Sequence, residues 1–348
     1  MLEVLRAGPV VTVQDMGRPG YAARGLSRGG AADRLALLEA AALLGQSPDL
    51  AALELAAMGG SFRANRPLRI ALTGAPMAAQ IGARRLGWNA THRLDAGEVL
   101  ELGAVQTGAY GYLSVGGGFA TVPVLGSRSA HLAARIGRPL RAGDRVPVGD
   151  DPAPDGPALT LPDPARCAGG VVRLLPTPQT ALFAPEVLAL FAPEVLARFV
   201  ATPFSRDARA NRQGQRLAWD GAPFSATGHL GLPSEPAQMG DIQITGDGAP
   251  VVLGPECQTT AGYPRIAAIH PADLPRLLQA GAPVRFRRVT VAEALATRWH
   301  DTDLLVDIRA TLRPAHPDAA GLARLLSEGR TGGAVDGRAD PFGGFGAG

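Results

Sequence analysis

PECQTTAGYPRIAAI, residues 255–269, sets Glu256, Cys257, Gln258, Thr259 and Thr260 side by side. It then turns at Gly262-Tyr263-Pro264 and enters a short apolar run behind Arg265. A core strand rarely carries five polar side chains in succession, and a surface loop rarely runs straight into Arg-Ile-Ala-Ala-Ile. The stretch therefore reads as the polar floor of a site leading into a short strand. The same pattern recurs outward in both directions. PVVTVQD (9–15), PLRIALTGA (67–75), GEVLELG (97–103), AYGYLSVGGG (109–118) and DRVPVGD (144–150) lie in the first half. VVRLLPTPQ (171–179), DIQIT (241–245), PVVLG (250–254) and APVRFRRVTV (282–291) lie in the second. Many short strands punctuated by Gly and Pro, with few helices between them, predict a mainly β chain folded as barrels or sandwiches. DRLALLEAAALLG (33–45) is the clearest helix, with Asp33 as N-cap and Gly45 just past its end. It is apolar on nearly every side, which predicts burial.

The chain has 348 residues, enough for two domains. With 46% hydrophobic and 19% charged residues it is a globular composition. All 34 basic residues are arginine. Lysine chemistry is thereby excluded from this chain: it offers no Schiff base, no P-loop lysine and no biotin attachment point. A net charge of +3, scattered arginines and 5% aromatics argue against nucleic-acid binding. No run is long and apolar enough to span a membrane. The opening residues, MLEVLRAGPVVTVQD, lack the pattern of a signal peptide, so a cytoplasmic location is expected. Cys167 and Cys257 are expected to be free thiols.

Composition divides the chain into an N-terminal β subdomain over 1–150, a Pro/Asp/Gly-rich linker over 151–169 and a C-terminal β subdomain over 170–312. A C-terminal helix and flexible tail are expected over 313–348. LFAPEVLA occurs twice, at 182–189 and 190–197. Two copies do not make a solenoid. Pro193 breaks any continuous helix through both, so the second copy is expected to begin a helix with Pro193 and Glu194 in its first turn.

Several stretches carry polar groups at turns. VQDMGRPGY (13–21) offers Gln14, Asp15 and Arg18 between glycines. GLSRGGAADR (25–34) is a Gly-rich loop entering a helix, where the backbone of Gly29 and Gly30, with Asp33, would suit an anion or simply a capped turn. GGG (116–118) followed by LGSRS (125–129) adds Arg128. Glu235 sits in a turn. The histidines, His229 and His270 among them, stand apart in no ligand spacing, so no metal site is expected.

Taken together, TVQDMGRPGYAARGLSRGGAADRLALLEAAALLG, LELAAMGGSF, YGYLSVGGGF with VLGSRS, RPLRAGD, NRQGQRLAWDG and PECQTTAGYPRIA resemble one family in order and spacing over roughly residues 2 to 310. That family is the 5-oxoprolinase C-subunit family. It is also called the biotin-dependent carboxyltransferase or allophanate hydrolase subunit 2 family, is related to urea amidolyase, and includes an antagonist of a sporulation kinase inhibitor. The resemblance implies two cyclophilin-like β-barrel domains. Gln14, Asp15, Gly17, Arg18 and Gly20 match the family's first motif. Gly29 stands where the family usually has Ser, Ala210-Asn211 where it has Ser-Asp, and Arg265 where it has Lys.

The resemblance further implies the C-subunit of an ATP-dependent 5-oxoprolinase, working with the A- and B-subunits of that enzyme, with ATP and Mg²⁺ as cofactors. The alternatives are a carboxyltransferase acting on urea or a related amide, with biotin carried on another protein, and a non-catalytic partner-binding regulator. Gln258, Thr259, Thr260 and Tyr263 would contact a small polar amide, joined by Gln14, Asp15, Arg18 and Arg265. Arg212 and Arg216 would hold its carboxylate or a phosphate, and Glu256 would orient an arginine or act on a proton. On that implication Arg212→Ala lowers kcat/KM and leaves melting near wild type. The two halves are expected to face each other across a ligand cleft.

Overall fold

The computed structural model describes residues 1–163, 165–177, 179, 193–224 and 234–315. The first LFAPEVLA copy, His229 and the expected tail beyond residue 315 lie outside the described residues. The expected mainly β architecture is found. Two antiparallel sheets close the first half. One runs in the order Arg145–Val146, Leu2–Ala7, Gly60–Ala64, Val99–Val105, Met77–Ile81, Arg84–Arg85. The other runs Val10–Gln14, Ala52–Ala56, Tyr110–Val115, Leu68–Gly74, Ala90–Leu94, Leu159–Thr160, Arg313–Pro314. Their inner faces share one apolar core, in which Leu2, Val4, Phe62, Leu100 and Leu102 of the first sheet meet Val11, Leu53, Ile70, Leu72 and Leu113 of the second. Alternation sets the register: in Met77–Ile81 the residues Met77, Ala79 and Ile81 are buried while Ala78 and Gln80 are exposed.

Leu68–Gly74 is buried along its whole length because both its faces are covered. Ile70 and Leu72 point into the barrel, while Ala71 and Thr73 meet the helix Arg34–Leu44. That helix begins at the expected cap, where the Asp33 carboxylate accepts from Ala36 N–H at 3.3 Å, and it ends at Gly45 with φ of 65°. Its outer side packs on Ile308 and Leu312, beyond the second half of the chain. Sandwiched in this way, it needs the all-round apolar surface that its sequence carries.

Among the described residues the second half is built on a seven-stranded curled sheet in the order Ser205–Arg206, Gly214–Ala218, Pro250–Leu253, Asp241–Ile244, Arg265–Ile269, Gly170–Leu175, Val284–Arg288. Only its last pair is parallel. Its core holds an aromatic cluster: Phe199 lies 5.0–5.3 Å, centroid to centroid, from Phe204, Phe224 and Phe286, and Phe204 lies 5.8 and 5.3 Å from the latter two. Phe199 comes from the helix Pro193–Ala201, which starts where the second repeat copy predicts, with Glu194 in its first turn.

Residues 151–169 are not a free tether. Leu159–Thr160 joins the first-half sheet and pairs with Arg313–Pro314. Arg166 is buried, bonding Asp33 at 2.6 Å and Glu39 at 2.6 and 2.7 Å. The helix Asp301–Ala310 likewise returns to the first half, through an Arg34–Asp301 ion pair. Among the described residues no helix is long and apolar enough to cross a membrane.

Candidate active site

The opening stretch meets the rest of the site through two turns. Gly254 N–H donates to Gln213 carbonyl at 2.9 Å, Glu256 N–H to Arg212 carbonyl at 2.9 Å, and Gly29 N–H to Pro255 carbonyl at 3.0 Å. These bonds hold the 254–257 turn against 211–214 and aim Glu256 inward. Asn211 steadies its own turn, its Oδ1 accepting from Gln213 and Gly214 N–H at 2.8 and 3.3 Å. An Asp at that position would accept the same two bonds, so the departure to Asn keeps the turn.

Arg212 is the hub of the seam between the halves. Its Nε donates to Glu256 at 2.5 Å, its Nη2 to the Gly30 carbonyl at 2.7 Å, and its Nη1 to Glu54. Glu54 reaches in from Ala52–Ala56 and also accepts from Tyr112 Oη at 2.6 Å and Ala32 N–H at 2.8 Å. Glu256 accepts from Ala133 N–H at 3.0 Å. Burial pulls the Arg212 pKa down, but Glu54 and Glu256 beside it more than reverse this, so the guanidinium is firmly charged. A guanidinium has five N–H bonds, and all three of its nitrogens are committed to the protein here.

The first-half motifs serve this hub from behind. Asp15 accepts from Ser127 and Ser129 hydroxyls at 2.6 and 2.5 Å, from Arg128 N–H at 2.6 Å and from Gly17 N–H at 2.8 Å. Arg18 is 1% exposed and donates to Ser129 carbonyl at 2.5 Å, while its Nη1 is buried without a partner. Gln14 is fully buried, and its Nε2 bonds Thr12 and the Ala130 carbonyl. Gly30 has φ of 84°, and a Cβ there would lie 2.8 Å from Gly17 N and 2.9 Å from Asp15 O, so only glycine fits. The expected anion-binding role of this loop meets a physical obstacle. The N–H groups of Gly29, Ala31, Ala32 and Asp33 already donate to Pro255, Asp15, Glu54 and Tyr112. Asp33 itself is spent on Arg166 and on Gln279 Nε2 at 2.9 Å. The Arg128 side chain is exposed.

The remaining predicted residues do not gather at the hub. Gln258 and Thr260 are exposed, Thr259 is half-buried and Tyr263 is 51% exposed. Thr260–Ala261 pairs instead with Glu235–Pro236. Arg265 bonds Glu235 at 2.5 Å and Asp241 at 3.2 Å, and Arg216 bonds Asp247 at 2.5 Å near the surface.

A cleft of about 590 Å³ opens beside the hub and is walled by both halves. Arg212 and Glu256 line it with Tyr110, Arg206, Asn211 and Ala133. The two halves therefore face one another across a cavity of ligand size. Burial first, then Glu54, pushes the Tyr110 phenol up, so it stays neutral.

Residues that sequence reasoning missed are mostly partners of those it found. Glu54 lies in the quoted LELAAMGGSF motif, but nothing local marks it as the counter-charge of Arg212. Gln279 bridges the halves, accepting from Ala109 and Tyr110 N–H at 3.0 and 2.9 Å and donating to Tyr110 carbonyl at 2.7 Å. His131 lies between Ser27 Oγ, 2.9 Å from its Nε2, and Glu256, 3.9 Å from its Nδ1. The order imitates a nucleophile–base–acid array. However, Nδ1 accepts from Ala134 N–H at 3.2 Å, which puts the proton of the neutral ring on Nε2, facing the serine. That tautomer cannot accept the serine proton. The cysteines are inert: burial pushes the Cys167 thiol up to about 11 and the Cys257 thiol up to about 12.

Comparison with known proteins agrees with this architecture. Residues 24–288 match the model of the carboxyltransferase domain, subdomains A and B. The chain is 34% identical over 306 residues to the 5-oxoprolinase C-subunit of Escherichia coli (strain K12), covering 86% of this chain and 94% of that protein. It is 29% identical over 315 residues to the 5-oxoprolinase C-subunit of Haemophilus influenzae, covering 89% of this chain and 98% of that one. Among solved structures, the urea amidolyase of K. lactis superposes with a TM-score of 0.78 at 22% identity, over 91% of this chain and 21% of that one, a likeness of fold. The fold, the seam and these matches place the chain in the carboxyltransferase-domain family of subdomains A and B.

Proposed function

We propose that this chain is the C-subunit of an ATP-dependent 5-oxoprolinase and that it helps phosphorylate 5-oxoproline before the ring opens to glutamate. The supporting observation is a match over 86% of this chain and 94% of a 34%-identical relative named as a 5-oxoprolinase C-subunit. The cleft at the seam suits the chemistry. A lactam is a poor electrophile. Transfer of the γ-phosphoryl group of ATP breaks the bond to ADP, forms a bond to the lactam oxygen and makes that oxygen a leaving group. Water then adds to the ring carbon, the C–N bond breaks as the nitrogen takes up a proton to leave an open-chain acyl phosphate, and a second water releases phosphate and the free carboxylate. Fixed charges beside the amide lower the cost of the first step, and arginine supplies them here in the absence of lysine. This reading takes ATP and Mg²⁺ as cofactors of the complex formed with the B-subunit, with the A-subunit completing hydrolysis.

The test is reconstitution. The purified chain alone should show no 5-oxoproline-dependent ADP release, and adding its B-subunit homologue should restore it. The two should form a stable complex burying more than about 1,000 Å². Robust turnover by either protein alone would overturn the reading. The family description also names carboxyltransferase chemistry. Urea-dependent carboxylation with a biotinylated carrier, and none with 5-oxoproline, would replace the first reading with the second.

A further inference from the structure

Four arginines lie within eleven residues of one another, at 206, 209, 212 and 216. Three are committed. Arg209 is paired with Asp207 at 2.7 Å, Arg212 with Glu54 and Glu256, and Arg216 with Asp247. Arg206 is different. It ends the edge strand Ser205–Arg206, lines the cleft, and has no ion pair among the described residues. Its Nε is buried without a hydrogen-bond partner. Its guanidinium carbon lies 5.6 Å from the centre of the Tyr110 ring, so the second half's arginine rests on the first half's aromatic face. A guanidinium with no counter-charge of its own, lining a cavity of about 590 Å³, is an anchor for an anion.

We propose that Arg206 is the group that grips the ligand in this cleft, and that the ligand is a small amide bearing a single carboxylate. The charges admit at most a monoanion. Asp207 is balanced by Arg209, while Arg212 is shared by Glu54 and Glu256, so of the two arginines lining the cleft Arg206 alone has no carboxylate of its own among the described residues, and the wall holds no surplus positive charge for a second negative one. A flat carboxylate matches the guanidinium fork. A phosphate dianion would bring two charges to one uncommitted cation beside two carboxylates. The rest of the wall, with Ala56, Ala57 and Ala109, is apolar enough for the methylenes of a small ring. This deepens the oxoprolinase reading and rests on it for the choice of probe.

The experiment is calorimetric titration of the full chain, alone and with its B-subunit homologue, using 5-oxoproline and 2-pyrrolidinone, the same ring without the carboxylate. Wild type should prefer 5-oxoproline by about tenfold or more, the scale of a charge-assisted pair. Arg206→Gln should remove that preference and leave 2-pyrrolidinone binding unchanged; Arg206→Lys should retain part of it. In the reconstituted complex, Arg206→Gln should raise the KM for 5-oxoproline and leave that for ATP alone. Wild type without a preference, or Arg206→Gln with the wild-type preference, overturns the proposal. Should Arg206→Gln fail to fold, Arg206→Lys decides: an undiminished preference in that variant overturns it too. A chain that turns over no 5-oxoproline with any partner, yet favours ring carboxylates through Arg206, would sink the oxoprolinase reading and leave this one standing.

Discussion

Glu256 and Tyr263 belong to the same short stretch and occupy different media. Glu256 is 3% exposed, bonded to Arg212 within the seam, whereas Tyr263 is 51% exposed on a turn that follows the short strand Thr260–Ala261, itself paired with Glu235–Pro236. In the seam the polar groups compensate one another's lost hydration, and removing a charged one leaves its partners without their counter-charge. On the turn, water replaces whatever a mutation removes. A functional role in the seam is therefore entangled with folding, while a functional role on the turn would show in kinetics alone.

The largest effect expected from breaking this contrast is at Arg212. Arg212→Ala strands Glu54 and Glu256 and should cost about 3–5 kcal/mol of stability, measured by chemical denaturation. A loss below about 1 kcal/mol would mean that water reaches the seam and that the two regions are alike. A pH test at His131 is gentler. Burial lowers its pKa below the ordinary 6.5; Glu256 opposes this, and Arg18 and Arg212 reinforce it. The folded pKa being the lower one, His131's contribution is complete above pH 6.5 and fades as pH falls from there through the folded value. His131→Gln should flatten the fall of Tm below about pH 6.5, whereas an unchanged slope would assign that fall to carboxylates alone. The smallest effect belongs to the turn. Tyr263→Ala should shift stability by no more than about 0.5 kcal/mol, and a KM change without a stability change would mark Tyr263 as a ligand contact.

The unchanged melting that the sequence leads one to expect of Arg212→Ala shows where sequence reasoning stops. NRQGQR marks two arginines four residues apart as equals. Only the fold sends Arg212 to carboxylates at 54 and 256 and leaves Arg216 beside Asp247 at the rim. What depends on neighbouring residues was legible: the Asp33 cap, the Gly45 stop, the strand alternation and Pro193 opening a helix. What depends on chain closure was not. Arg166 sits in a stretch whose Pro, Asp and Gly spell linker, yet it is buried between Asp33 and Glu39. Gln279 ends a short helix of ordinary composition and still stitches the halves together through Asp33 and Tyr110. Arg206 escaped notice because an arginine's lack of a partner is a property of space.

The return of residues 301–314 to the first half bears on the order in which the molecule can be finished. Ile308 and Leu312 cover Ala40, Leu43 and Leu44, and Arg313–Pro314 completes a sheet whose other edge strand starts at Val10. A ribosome delivers that cover only after the whole second half has emerged. Until then the first half carries a bare apolar helix face, open to chaperones or to a neighbouring nascent chain. Its assembly is closed from the far end of the described chain, like a box whose lid is made last.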